Sequence, residues 1–137
     1  MGNVMRKACP VVVRKTAGRL EVLAFRHPLA GKQLVKGSIE FAETVERAAL
    51  RELYEEGDIG STAIAYLGSH QMADPAREWH FVVCGNDILP DAWTHRTSDG
   101  GGLDFAFFWR PLDEMPNDEW HPIFRDALDF IRRRIDR

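Results

Sequence analysis

The segment from Gly37 to Ile59, "GSIEFAETVERAALRELYEEGDI", crowds Glu52, Glu55 and Glu56 into the end of one predicted helix. That helix runs from Val45 to Glu56, with Thr44 placed as an N-cap and Gly57 as a C-terminal stop. At about 100° per residue, Glu52 and Glu56 lie about 40° apart around the axis, and Glu55 about 60° to the other side of Glu52. All three carboxylates share one edge. Like charges at i,i+4 cost a helix roughly 0.2–0.5 kcal/mol, and each anion at the C-terminal end opposes the macrodipole by roughly 0.3–1 kcal/mol. Neither Glu52 nor Glu56 has a Lys or Arg four residues further on, and Arg51 to Glu55 is the weaker orientation of an ion pair. A solvated acidic face is the ordinary reading of such a run. A bound divalent cation is the other, because carboxylate oxygens converging from one edge suit Mg²⁺.

On the N-terminal side, "PVVVRKTAGRLEVLAFR" predicts strands at Val11–Arg14 and Leu20–Phe25, joined by a turn at "TAGR" where Gly18 supplies a positive φ. "HPLAGK" is a loop leading to a short extended piece, "QLVKG". On the C-terminal side, strands are predicted at "TAIAYLGSHQ", "EWHFVVCG" and "DFAFFWRP", with turns at "ADPA" and "TSDGGG" between them. The chain closes on an amphipathic helix in which Trp120, Ile123, Phe124, Ala127, Leu128 and Ile131 recur at helical spacing. A hairpin, a helix, a run of strands and a last helix argue for a mixed sheet with helices on its faces.

Composition narrows the function classes. The 137 residues, 45% of them hydrophobic, suit one domain spanning 1–137 with a single sizeable core. With a net charge of -3 and no basic stripe, duplex nucleic acid is not an expected partner. No apolar run reaches the roughly 18 residues of a membrane span, and the N-terminus has neither a signal-peptide core nor, with Arg6 at position 6, a myristoylation pattern. Cys9 and Cys84 lack CxxC spacing and read as reduced thiols, so the expected compartment is the cytoplasm.

The full spacing of the segment carries more than the three acids. Gly37, five residues to Glu43, seven to Arg51-Glu52, then Glu55-Glu56 and Ile59 resembles the Nudix box, G-x5-E-x7-R-E-U-x-E-E-x-G-U, in six of its seven fixed letters over 23 residues. The second box glycine falls on Asp58, and Ala42 stands where many members carry glycine.

The resemblance implies an α+β fold, a Nudix-like α/β/α sandwich whose mixed sheet carries the box helix and a C-terminal helix. It also implies hydrolysis of a pyrophosphate linkage in a small nucleoside diphosphate derivative, with Mg²⁺ or Mn²⁺ as cofactor. Glu52 and Glu56 would be the main ligands, Glu55 an additional one, and the Lys36 carbonyl would complete the sphere. Arg51 would orient the carboxylates by pairing with Glu43. The family takes its general base either from the box, here Glu52, or from a later acidic residue, with Glu78, Asp99 and Asp104 as candidates. "VKG" is similar to the "PKG" of members that act on dinucleoside polyphosphates and diphosphoinositol phosphates, which makes the Lys36 side chain a candidate phosphate contact. Arg26 is a candidate to border the pocket, and Trp79 or Phe81 to stack on a base; His80 between them is expected on the opposite face of its strand. Homodimers are common in the family and are an expectation here. The alternative function is a catalytically silent nucleotide-binding or sensor module. Against it, every box carboxylate is intact and no DNA-binding segment accompanies the domain.

Overall fold

The computed structural model describes residues 4–73, 76–85, 88–98 and 101–136. Its elements in chain order are β1 (Met5–Thr16), β2 (Arg19–His27), β3 (Gly31–Gln33), β4 (Gly37–Ser38), α1 (Val45–Gly57), β5 (Thr62–Gln71), β6 (Arg77–Gly85), β7 (Ala92–Thr97), β8 (Leu103–Pro111) and α2 (Pro122–Arg134). The sheet runs β5-β6-β1-β2-β8-β7, with β3 beside β2 and β4 beside β1. β1 and β6 are parallel and the other pairings antiparallel, so the sheet is mixed. Among the described residues no helix is long and apolar enough to cross a membrane.

Alternation along the central strands builds two cores. On β1 and β6, Cys9, Val11, Trp79 and Phe81 face α2 and pack with Phe124, Leu128 and Ile131. Ala8, Val12, Val82 and Cys84 face the other way and pack with Ala48, Ala49 and Leu53 of α1. The helices therefore cover opposite faces of the sheet, the sandwich that the resemblance implied. Both cysteines are buried free thiols, and burial pushes the Cys84 thiol up to about 11.

Three elements differ from their predicted form. β1 extends back to Met5 because its first half finds parallel partners on β6, from Met5↔Arg77 to Val12↔Cys84, which only the tertiary fold supplies. The segment "AWTHRT" gave no strand signal, yet β7 forms there as an edge strand, with Thr94 and Arg96 exposed and Trp93 as its apolar anchor, stacked on Phe107 at 5.0 Å. Trp120 precedes α2 instead of lying in it: His121 caps the helix by accepting from the Ile123 N–H at 3.1 Å, with Pro122 at the first helical position. Trp120 is nonetheless buried, beneath the Arg110 guanidinium at 5.1 Å.

Candidate active site

The box segment folds as loop, helix and cap, and each fixed residue has a local physical reason. Thr44 accepts from the Arg47 N–H at 3.1 Å and starts α1. At the other end Asp58 adopts the left-handed conformation, φ 56° and ψ 39°. Its N–H donates to the Tyr54 carbonyl at 3.0 Å, the bond of an αL cap, and the Ile59 N–H donates to the Leu53 carbonyl at 3.3 Å. The helix thus ends in register with the box, with Asp58 filling the glycine's conformational role. Gly57 serves a different need: a Cβ there would stand 2.9 Å from Ile59 Cδ1 and 3.0 Å from Phe107 Cζ.

Gly37 is needed for space. A Cβ at this position would overlap the Glu52 carboxyl group, so the carboxylate lies directly against the glycine backbone. Glu52 is accordingly only 7% exposed, and its carboxyl is held above the ordinary carboxylate range, first by burial and further by Glu55, against the pull of Arg51 and a hydrogen bond with Glu56. Two box carboxyls are therefore neighbours at a desolvated spot.

Arg51 organises the surrounding acids. Its Nε and Nη2 donate to the two Glu43 oxygens at 2.8 and 2.9 Å, a bidentate pair. Nη2 also donates to the Ser38 carbonyl at 2.8 Å, while Nη1 donates to Glu52 Oε1 at 2.8 Å and lies 3.4 Å from Glu55 Oε2. Held this way, the Glu43 carboxyl sits far below its usual range, at about 2. The same guanidinium joins the loop, the strand β4 and the helix, and it supplies the counter-charge that the helix lacks along its own C-terminal turn.

A divalent cation fits the donor chemistry. Glu52, Glu56 and Glu55 offer only hard oxygen atoms, and the desolvated Glu52 charge is incompletely offset by Arg51. Among the described residues no three acidic side chains already close around a common point, and Glu55 is exposed and turned toward Arg51.

The remaining candidates divide. Lys36 adjoins Gly37 and is half-buried. Arg26 reaches Glu119 at 2.9 Å on the α2 side of the sheet, where Lys32 also meets Glu119 at 3.2 Å, so its guanidinium is occupied away from the box helix. Trp79 and Phe81 are corrected: they are 1% and 0% exposed and packed against Phe124 and Phe130, so neither offers a ring face to a base. His80 does face the opposite way, with Nε2 2.7 Å from Glu78 Oε1 and Nδ1 2.8 Å from the Tyr66 hydroxyl. Glu78 is thereby held by His80, with Arg6 at 3.8 Å, and Asp104 is paired with Arg96 at 3.2 Å. Asp99 lies outside the described residues. Sequence reasoning missed Lys7, whose Nζ donates to the Ser38 hydroxyl at 2.8 Å beside Gly37. Its strand partner is decided by the β1–β4 pairing, which no local pattern announces.

Comparison with known proteins bears on this geometry. The family profile described as the NUDIX domain matches residues 5–129. Among solved structures, a NUDIX hydrolase from Nitrosomonas europaea is similar at TM-score 0.71 and 14% identity, covering 97% of this chain and 72% of that one. An ADP-ribose pyrophosphatase from Streptococcus suis 89-1591 is similar at TM-score 0.64 and 14% identity, covering 94% and 90%. A UDP-X diphosphatase is similar at TM-score 0.62 and 14% identity, covering 96% of this chain and 62% of that chain. At such identities these likenesses concern the fold. No curated protein sequence matches.

Proposed function

The chain belongs to the Nudix family, and from that premise we propose that it is a Mg²⁺-dependent pyrophosphohydrolase acting on a small nucleoside diphosphate derivative. The observation that carries this reading is the Glu52 carboxylate, desolvated against Gly37 and hydrogen-bonded with a second box acid, Glu56. Such a pair of oxygens is stabilised by a captured cation more than by any partner the helix itself provides.

Glu52 and Glu56 would hold the ion, with Glu55 joining them and the Lys36 carbonyl completing the oxygen set. Bound there, Mg²⁺ supplies Lewis acidity, acidifying water and offsetting charge on phosphate oxygens. The protein's own share is orientation. Arg51 fixes Glu52 through Oε1 and is itself fixed by Glu43 and the Ser38 carbonyl, so Glu52 is held in one orientation before any ligand arrives. For the proton released by the attacking water, Glu52 is the acceptor we assign, since Glu78 is engaged by His80 and Asp104 by Arg96.

The test is a panel of nucleoside di- and triphosphates, nucleotide sugars and dinucleoside polyphosphates, assayed for phosphate or pyrophosphate release with and without Mg²⁺. At least one compound is turned over only with metal, and Glu52→Gln lowers kcat by about 10²-fold or more. Tight nucleotide binding with no turnover across the panel would instead favour the sensor module.

A further inference from the structure

We propose that Tyr66 recognises the base of the substrate: held by His80 and Glu78 on the sheet face that α1 covers, its ring stacks on a purine or pyrimidine. The substrate is therefore a nucleotide and not a diphosphoinositol phosphate, which has no aromatic ring to offer. The inference rests on the hydrolase reading above and specifies the substrate class of that same site.

Strand register places Tyr66 within reach of the box. Ala8 on β1 lies opposite Gly37 on β4 and opposite His80 on β6, so the three form one row across the sheet. Paired residues turn to the same face: Ala8 packs with α1, Gly37 seats the Glu52 carboxylate, and His80 follows them. His80 is thus two strand spacings, about 10 Å, from the seat of Glu52. Tyr66 stands one strand further out, on β5, and its hydroxyl reaches back to His80 Nδ1 at 2.8 Å. That separation is comparable with the reach of a nucleotide from its diphosphate through the ribose to the base.

The ring is also fixed before any ligand arrives. His80 is 8% exposed, and both of its ring nitrogens are engaged. A carboxylate only accepts, so Nε2 carries the hydrogen donated to Glu78 Oε1 at 2.7 Å, and in the neutral imidazole Nδ1 accepts the Tyr66 O–H. The Tyr66 and His80 rings lie 6.0 Å apart and 29° from parallel. Tyr66 itself is 50% exposed. The network thus orients one half-exposed aromatic ring, and a ring oriented in advance binds a base at low entropic cost.

Other exposed rings lack this placement. Tyr54 points about 160° around α1 from Glu52. Phe41 shares a surface hollow with Arg47 and Leu50, and Leu50 is likewise about 160° around the helix from Glu52.

The test isolates the base. On the full chain with Mg²⁺, calorimetry compares methylenediphosphonate with the α,β-methylene analogues of adenosine and uridine diphosphate, none of which can be cut at the bridge. The parent should bind at least one nucleoside analogue about tenfold more tightly than the base-free diphosphonate. Tyr66→Leu should abolish that preference while leaving methylenediphosphonate affinity within about twofold, and Tyr66→Phe, which keeps the ring, should retain most of it. No preference in the parent, a preference indifferent to Tyr66, equal losses on both kinds of ligand, or a Tyr66→Phe variant as deficient as Tyr66→Leu overturns the proposal. A Tyr66-dependent preference in a protein that hydrolyses nothing would leave the base contact standing and remove the hydrolase reading instead.

Discussion

Gly37 and Glu52 act as one unit, because the first has no side chain so that the second can lie against its backbone. Gly37→Ala would drive a methyl into the Glu52 carboxyl group. The expected result is a kcat lower by about 10²-fold, with a circular dichroism spectrum close to that of the parent, since the displaced group is the one carboxylate we propose to hold the metal and take the proton. Retained activity would mean that Glu52 works from another position. Glu43 titrates in the opposite sense to Glu52. Bidentate pairing with Arg51 lowers the Glu43 carboxyl from 4.5 to about 2. A depressed folded value means that the stabilisation is complete above the unfolded value and is lost as pH falls toward about 2. Glu52, raised by burial, gains stability on protonation. Thermal unfolding between pH 5 and 2.5 should therefore fall less steeply for Glu43→Gln than for the parent; parallel curves would show that the pair carries no acid lability.

At the scale of elements, the box loop and helix contain two left-handed residues that are not glycine. Ala42 has φ 65° and Asp58 φ 56°. A Cβ in that region costs roughly 1–2 kcal/mol, partly offset by the extra backbone entropy that glycine loses on folding. Ala42→Gly should raise stability by about 0.5–1 kcal/mol, read as a shift of the denaturation midpoint at constant m. Asp58→Gly should gain a similar amount, because it also removes an anion from the helix C-terminus. Gly57 is the counter-example: Gly57→Ala should cost about 1–3 kcal/mol, since the new methyl meets Ile59 and Phe107 in the core. If Gly57→Ala stabilised and Asp58→Gly destabilised, the cap would sit one residue earlier than the hydrogen bonds place it.

Across the whole molecule, the two cores lie on opposite faces of the sheet, each under its own helix. α2 seals Trp79 and Phe81 inside one core, while α1 brings its acids to the rim of the other face. Phe81, stacked on Phe130 at 4.7 Å, should behave as a packing residue. Phe81→Ala should cost about 3–5 kcal/mol, and the gentler Phe81→Leu should leave KM for nucleotide within about twofold of the parent. A tenfold rise in KM for Phe81→Leu without loss of stability would return that ring to the binding site.

The order of elements, the box helix and its caps were legible in the chain because they rest on local rules. Thr44 and Asp58 satisfy backbone groups within a few residues, and apolar spacing marks both helices. The function class was legible for the same reason, since the acids, the arginine and the glycine recur at fixed offsets along one short segment. Partners across the sheet decided the rest. Whether Trp79 faces solvent or core depends on which side α2 covers, and β7 exists only because β8 offers it a ladder. Arg26 was drawn to Glu119, far along the chain, and Lys7 to Ser38 by the β1–β4 register. Local sequence fixes hydrogen bonds and periodicity over a few residues; burial and charge pairing between distant strands are properties of the closed fold, and they determined which candidate side chains reach the site.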